Sequence, residues 1–444
     1  MHHTVRAIAA LTAVALLSAC GGNTPTTVPS DGATPGPTIA PRATPDMPPP
    51  AAQVQRLAAA QARRLAADAA ERPNDASVRR DLGFVLLQLV RDTGDAGGYA
   101  RAEAAFREAM DLDPQDPLVL VGIGAVQLGR HEFDAALDTG RQATALDPEL
   151  PAAHGVVVDA LVELGRYDEA VEALQVMVDL RADLASLARV SYLRELHGDL
   201  PGALDAMLEA ARAGSTEPEG QAYVTSLLGT LFVWNGRPEE ARAAWEQSLA
   251  LVPGYAPAVA GIGRLATGEG DHEAAVEAFR AASDALPLPE YVIALGESSL
   301  VAGDDRGAAE AFDLARLQTQ LLQAAGVGTE LELALFEADH GDPASAVALA
   351  TRAYEERRTI RTADALAWAL HRNGRSRDAV ALVDEALRLG TRDPLLRYHA
   401  GAIAAVMGDD DRARDDLALA LDVDPGFSAT GAREARALLA SLGG

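Results

Sequence analysis

Lysine is absent from this chain of 444 residues, and all 38 basic residues are arginine. Cysteine occurs once, so no intramolecular disulfide can stabilise a fold, and dithiol redox chemistry is excluded. Aromatic residues are only 4% of the chain, while alanine is very frequent. Acidic residues number 65, and the net charge of −27 argues against nucleic acid and against direct adhesion to anionic lipid heads. Beyond the N-terminal region, no apolar run approaches the ~20 residues that a membrane-spanning helix needs. There is no phosphate-binding loop, no His-Glu-x-x-His and no cysteine–histidine pair. The chain therefore reads as a non-enzyme with no cofactor and no metal. A Ser-His-Asp arrangement converges only in three dimensions, and nothing in the sequence marks one.

What is present begins at the N-terminus. Met1 to Arg6 is short and basic, Ala7 to Leu17 is apolar, and Ser18 and Ala19 are small. That order is a secretory signal peptide, too short in its apolar part to cross a bilayer. Leu17-Ser18-Ala19-Cys20 resembles the lipobox of bacterial lipoproteins, which implies diacylglyceryl attachment at Cys20 and cleavage before it. A plain signal peptide cleaved near Ala19 is the alternative. Two acyl chains hold a protein at a membrane where one does so only marginally. Residues 21–50 contain nine of the 24 prolines and six threonines. Such a segment has little to bury and stays extended; at ~3.1 Å per residue it reaches ~90 Å.

One phrase then repeats ten times, most clearly as "LGRYDEAVEAL" (Leu164 to Leu174). A small residue recurs as Ala102, Ala136, Ala170, Ala203, Ala241, Ala275, Ala308, Ala346, Ala379 and Ala413, at intervals of 33, 34 or 38 residues. A bulky residue follows four positions later as Phe106, Leu174, Trp245, Phe279, Phe312 or Leu417. Glycine precedes the second helix of eight units, from Gly165 to Gly408, where it supplies a chain reversal. Two antiparallel helices approach closely only where their contact positions are small. This pattern resembles the tetratricopeptide repeat, a helix–turn–helix unit of 34 residues. The resemblance implies an all-α fold: an α-solenoid of about ten repeats in a right-handed superhelix with terminal capping helices.

The expected organisation is a signal peptide over 1–19, a lipidated cysteine and tether over 20–50, a capping helix over 51–73, the array over 74–425, and a second cap over 426–444. Both 38-residue intervals insert about one helical turn, which can leave the apolar face in register. The first, "AGSTEPEGQ", reads as a loop; the second reads as a lengthened helix from Ala311 to Ala325.

By the resemblance, the first helix of each unit lines an inner wall through positions 2, 5, 9, 12 and 13, counting the small marker as 20. The ninth unit then presents Arg361, Asp364, Trp368, His371 and Arg372. The fifth presents Tyr223, Ser226, Thr230, Val233 and Trp234, the fourth Tyr192 and Glu195, and the third Asp159 and Glu163. Large aromatics beside charges mark binding surfaces; alternatively, neighbouring helices cover these rings. Family members that grip a carboxylate do so with lysine, which this chain lacks, so a partner with basic patches suits its charge better. His272 and His340 sit beside acids at interhelix turns and read as solvated turn residues rather than metal ligands. The reading is a lipid-anchored, extracytoplasmic scaffold for proteins or peptides serving envelope machinery, with no nucleic acid; a small-ligand or metal carrier or sensor is the alternative.

Overall fold

The computed structural model describes residues 50–443 apart from 216 and 217; Cys20, the signal peptide and most of the tether lie outside the described residues. Among the described residues there are 22 helices and no strand. Helix α1 (Pro50–Glu71) leads into ten antiparallel pairs. The first five pairs are α2 (Ala76–Thr93) with α3 (Gly97–Leu112), α4 (Pro117–Gly129) with α5 (Phe133–Leu146), α6 (Pro151–Glu163) with α7 (Tyr167–Leu180), α8 (Leu184–Leu196) with α9 (Leu200–Ala213), and α10 (Pro218–Trp234) with α11 (Pro238–Leu251). The second five are α12 (Ala256–Glu269) with α13 (His272–Ala285), α14 (Pro289–Ala302) with α15 (Asp305–Ala324), α16 (Glu330–His340) with α17 (Pro343–Glu356), α18 (Ile360–Arg372) with α19 (Ser376–Ala386), and α20 (Pro394–Met407) with α21 (Asp410–Val423). Helix α22 (Ala429–Ser441) follows. The lengthened helix of the seventh pair is α15, at 20 residues against 14 for most second helices of a pair.

The packing explains the repeat phrase. All ten marker alanines are buried, none more than 1% exposed. The bulky residue four positions on drives into a slot that only glycine leaves open. Trp245 lies between Gly229 and Gly261, where an added Cβ would stand 2.4 and 2.2 Å from the indole. Gly83 and Gly122 make the same room for Phe106, and Gly296 for Phe312. The turns inside nine of the ten pairs are closed by left-handed residues, with φ of 75° at Gly165 and 78° at Gly198, whereas Gly341 of the eighth pair has φ −141°. The second pair has His131 there instead, at φ 65°, the one non-glycine residue with positive φ among those described. Aspartate follows several of these glycines and caps the next helix: Asp199, Asp271, Asp304 and Asp409 each accept a backbone N–H from the first turn. Part of the chain's acidity is thus spent on helix starts.

The array coils so tightly that its second half rests on its first. The turn inside each of the first five pairs meets the loop that follows the pair five further on. Gly94 lies against Leu288. The Arg130 carbonyl accepts from Gly328 N at 3.1 Å. Cβ atoms added to Gly165 and Gly198 would stand 2.5 and 2.2 Å from the carbonyl oxygens of Arg358 and Gly390. Trp234 shares a cluster with Val423. By contrast, Gly270, Gly303, Gly374 and Gly408 in the second half have nothing within 4 Å of an added Cβ.

That asymmetry gives a direct test. Gly374→Ala, at φ 74°, should cost only the ~1–2 kcal/mol of left-handed strain. Gly198→Ala carries the same strain and must also push back the Gly390 carbonyl, so its cost should clearly exceed that figure. Urea midpoints of the two variants decide the matter, and equal losses would mean that the two coils do not touch in solution.

Candidate functional site

The inner wall of the ninth and tenth pairs is the most elaborate polar–aromatic constellation described. Thr359 starts α18 through a reciprocal capping box with Thr362, which fixes the helix ahead of its functional face. Asp364, Trp368, His371 and Arg372 then follow at spacings of four, three and one, on one side of that helix. The Trp368 indole stacks between two imidazoles, His399 at 4.0 Å and His371 at 5.0 Å between ring centroids. Its Nε1 donates to Asp339 Oδ1 at 2.8 Å. Tyr398 leans on it at 5.2 Å, and the Arg372 guanidinium lies 5.5 Å from its ring centroid. His399 Nδ1 lies 3.0 Å from both oxygens of Asp364, so that nitrogen carries the proton and donates.

These groups are not open to solvent. Trp368 is 0% exposed, and Asp364 and His399 are buried with it. The expectation that Trp368 and Asp364 face an accessible wall is therefore corrected: neighbouring first helices close over them, and tryptophan's large apolar area makes that the favoured outcome. Arg372 is the most exposed of the four, with its side chain 32% open, and His371 is half-buried with Nδ1 3.0 Å from Ser376 Oγ.

The other expected wall residues lie elsewhere along the coil. Tyr192 is half-buried and its hydroxyl accepts from Arg361 Nη2 at 2.6 Å, a bond between the fourth and ninth pairs. Beside it Arg357 pairs with Glu163 at 3.2 Å, and the Tyr167 hydroxyl accepts from Ile360 N at 3.2 Å. The cavity these residues line with Leu196 and Leu331 measures about 10 Å³, room for one water. Glu195 is buried, as are Tyr223 and Trp234. Thr230 accepts from Arg264 Nη2 at 3.1 Å. For Glu195, Tyr223 and Trp234 too, the expectation of exposure is corrected, because the close pitch brings a second coil or the next first helix over them.

His340 is a further correction. It is not a solvated turn residue: its ring is buried, stacks on Phe312 at 4.2 Å, and places Nε2 3.1 Å from Glu297 Oε1. Ser428 Oγ donates to the other Glu297 oxygen at 2.8 Å. Burial would raise this carboxyl, but His340 and Ser428 hold it below the usual range. Among the described residues, no group of three or more His, Cys, Asp or Glu could hold a metal ion.

Burial pushes His371 down to about 4 and His399 to about 3. Protonating His399 would place a charged Nε2–H where the atom has no hydrogen-bond partner, which is the physical cost behind the shift. The consequence for stability has a definite sign. Unfolded imidazoles take up protons near pH 6.5 while the folded ones stay neutral, so stability falls as pH drops from about 6.5 towards 4. The loss by pH 5 should be about 2 kcal/mol for each imidazole, about 4 kcal/mol for the two together. His399→Phe should flatten that part of the curve; a wild-type urea midpoint unchanged from pH 7 to 5 would contradict the buried neutral pair.

Counting along the repeat located the ninth-pair residues but missed their surroundings. Asp339 occupies position 13 of the eighth pair, so the same count carries that signal. His399 lies one position off the counted wall. Phe427, in the connection before α22, and Glu434, within α22, lie beyond the last repeat, and no repeat count reaches them.

The fold is an α-solenoid of antiparallel helix pairs. Residues 87–151 and 227–288 match the family model of the tetratricopeptide repeat. The chain is similar to the small glutamine-rich tetratricopeptide repeat-containing protein 2 of Mycosarcoma maydis, 37% identical over 87 residues, which is 19% of this chain and 24% of that protein. It is also similar to cellulose synthase operon protein C of Pseudomonas fluorescens (strain SBW25), 27% identical over 167 residues, or 36% of this chain and 13% of that one. It thus spans about a quarter or less of these relatives' lengths. The crystal structure of the APC/C hetero-tetramer Cut9-Hcn1 superposes with a TM-score of 0.36 at 14% identity, covering 84% of this chain and 94% of that one. Repeats of this kind generally mediate protein–protein interactions.

Proposed function

We propose that the protein is an extracytoplasmic scaffold, held at a bacterial membrane by lipid on Cys20, that binds a segment of another protein. The observation that carries the binding role is the run of ten successive helix pairs, along which Arg372 and the half-buried His371 and Tyr192 are among the wall groups left partly open. Such a wall offers extended recognition rather than a reaction centre. The net charge of −27 sets the surface against nucleic acid and in favour of a partner with basic patches. The anchor assignment rests on the Leu17–Cys20 pattern, and service to envelope machinery rests on the resemblance to repeat-bearing lipoproteins.

Pull-down of the membrane-tethered form, with partners identified by mass spectrometry, tests the scaffold reading; recovery of no specific protein would count against it. Cys20→Ser tests the anchor. That variant should leave the membrane pellet after a high-salt wash, since among the described residues no helix is long and apolar enough to cross a membrane. Its retention there would defeat the lipid assignment.

A further inference from the structure

Helix α15 continues beyond the length of most second helices, 20 residues against 14. One side of the extension is occupied. Leu322 and Ala325 pack on the core of the first half, Val327 belongs to that core, and Gly328 N donates to the Arg130 carbonyl. The other side is bare. Leu314, Leu317 and Leu321 are 43%, 52% and 62% exposed, and their spacings of three and four put them in one stripe that exposed Ala324 continues. The exposed apolar residues of α7, Val171, Val176 and Leu180, are spaced by five and four instead and fall on different sides of their helix. A contiguous leucine stripe marks a contact surface, where scattered single residues do not.

The distribution of charge selects the occupant. All five charged residues of α15 lie between Asp305 and Arg316, and residues 317–329 carry none. In a chain of net charge −27 most of the surface repels a second copy, and this stretch does not. Two copies of α15 laid parallel would set Glu310 against Glu310 and Asp313 against Asp313. Laid antiparallel about an axis near Gln320, the acidic half of each copy meets the charge-free half of the other, and Leu317 meets Leu321 across the seam. The spacing from Leu314 through Leu317 and Leu321 to Ala324 is three, four and three, the same from either end, as an antiparallel pair of identical helices requires. We propose that α15 is a self-association surface on which a second copy of the chain docks antiparallel through this stripe. The stripe offers only about 300–400 Å² per copy, below the ~800 Å² of a standard interface, so the dimer is weak, with Kd of about 10–100 µM. It lies on a second helix, so pairing leaves the wall of first helices free. The anchor proposed above would hold copies in one plane, where a weak contact becomes effective.

Two measurements on the full chain carrying Cys20→Ser, which leaves no native thiol, test the proposal. From ~2 to ~200 µM the sedimentation coefficient should rise towards that of a dimer, and a chain that stays monomeric throughout overturns it. Adding Leu317→Arg and Leu321→Arg should raise the Kd at least tenfold with an unchanged melting temperature, since both side chains stand in solvent. A dimer indifferent to both arginines overturns the proposal. The second measurement is cross-linking under mild oxidation. Gln320→Cys should give a disulfide-linked dimer and Asp313→Cys should not, because antiparallel pairing carries the two 313 positions ~20 Å apart. The reverse pattern overturns the charge argument and with it the proposal. Binding of the monomer to phosphatidylcholine vesicles, lost with the two arginines, would assign the stripe to lipid. Loss of a pulled-down partner in the same variant, with no dimer in either chain, would assign it to another protein. Both results overturn self-association, and neither touches the scaffold reading, which the wild-type pull-down tests by itself.

Discussion

Trp368→Ala should destabilise the second half of the array by about 3–5 kcal/mol, the range for removing a fully buried indole that the surroundings cannot refill. The side chain gives up more than volume. Two stacked imidazoles, Tyr398 and the guanidinium of Arg372 all close on it, and Asp339 would be left with an oxygen facing an empty slot. Because repeat arrays unfold in segments rather than as one unit, the loss should appear first as hydrogen exchange across α18 and α20, with α4 to α6 still protected. Trp368→Phe keeps a stacked ring but gives up the indole N–H and part of the ring volume, so it should cost less, about 1–3 kcal/mol. A Trp368→Ala chain that keeps the wild-type urea midpoint, yet recovers less partner, would instead restore the residue to an accessible binding surface.

That alternative was open on sequence grounds for a definite reason. Local rules fix the register of a repeat: alanine where helices cross, glycine opposite a phenylalanine or tryptophan, left-handed glycine at the turn. Each is decided within one unit or between neighbours, so Ala170, Gly229 and Gly198 are all readable. The overall pitch is not. It accumulates from a small rotation at every pair, and whether Tyr192 reaches Arg361 across 169 positions depends on the sum of those rotations. The same residues on a more open coil would stand in solvent. Burial of Glu195, Tyr223 and Trp234, and the partial covering of Tyr192, are therefore properties of the whole superhelix.

His340 shows a second limit. Its place beside Asp339, Gly341 and Asp342 is that of a turn, and turn residues usually meet water. Here α16 ends with the ring facing inward, because Phe312 offers a stacking face and Glu297 an acceptor, both supplied by the seventh pair. Neither can be inferred from the residues adjoining His340. The candidate site combines both limits: Asp364, Trp368, His371 and Arg372 were legible as one helix face, whereas His399, Tyr398 and α22 are brought to it by packing alone.

Arg189→Ala should be as damaging as the tryptophan change, and for an electrostatic reason. Arg189 and Asp159 join α8 to α6 through two bonds of 2.8 and 2.6 Å, and a third bond runs from Arg189 Nη1 to the Ala185 carbonyl at 3.0 Å. The guanidinium passes over Gly155, where a Cβ would stand 3.2 Å from Nη2, so the wall position that lacks a side chain is what admits it. Burial already raises the Asp159 carboxyl above its usual range with Arg189 in place. Removing the arginine leaves a carboxylate that is only 14% exposed without its counter-ion, and such one-sided cuts cost up to about 3–5 kcal/mol. The deficit should depend on pH with a known sign. In the variant the folded-state pKa of Asp159 rises further, the folded chain binds the extra proton, and the penalty shrinks as pH falls through that value. Replacing both partners, as Arg189→Met with Asp159→Leu, should recover most of the stability, since two apolar side chains need no mutual neutralisation. Urea denaturation of the single and double variants at pH 7 and pH 5 reads all three effects. A double variant as unstable as the single one would show that the loss comes from packing around Gly155 rather than from the stranded carboxylate.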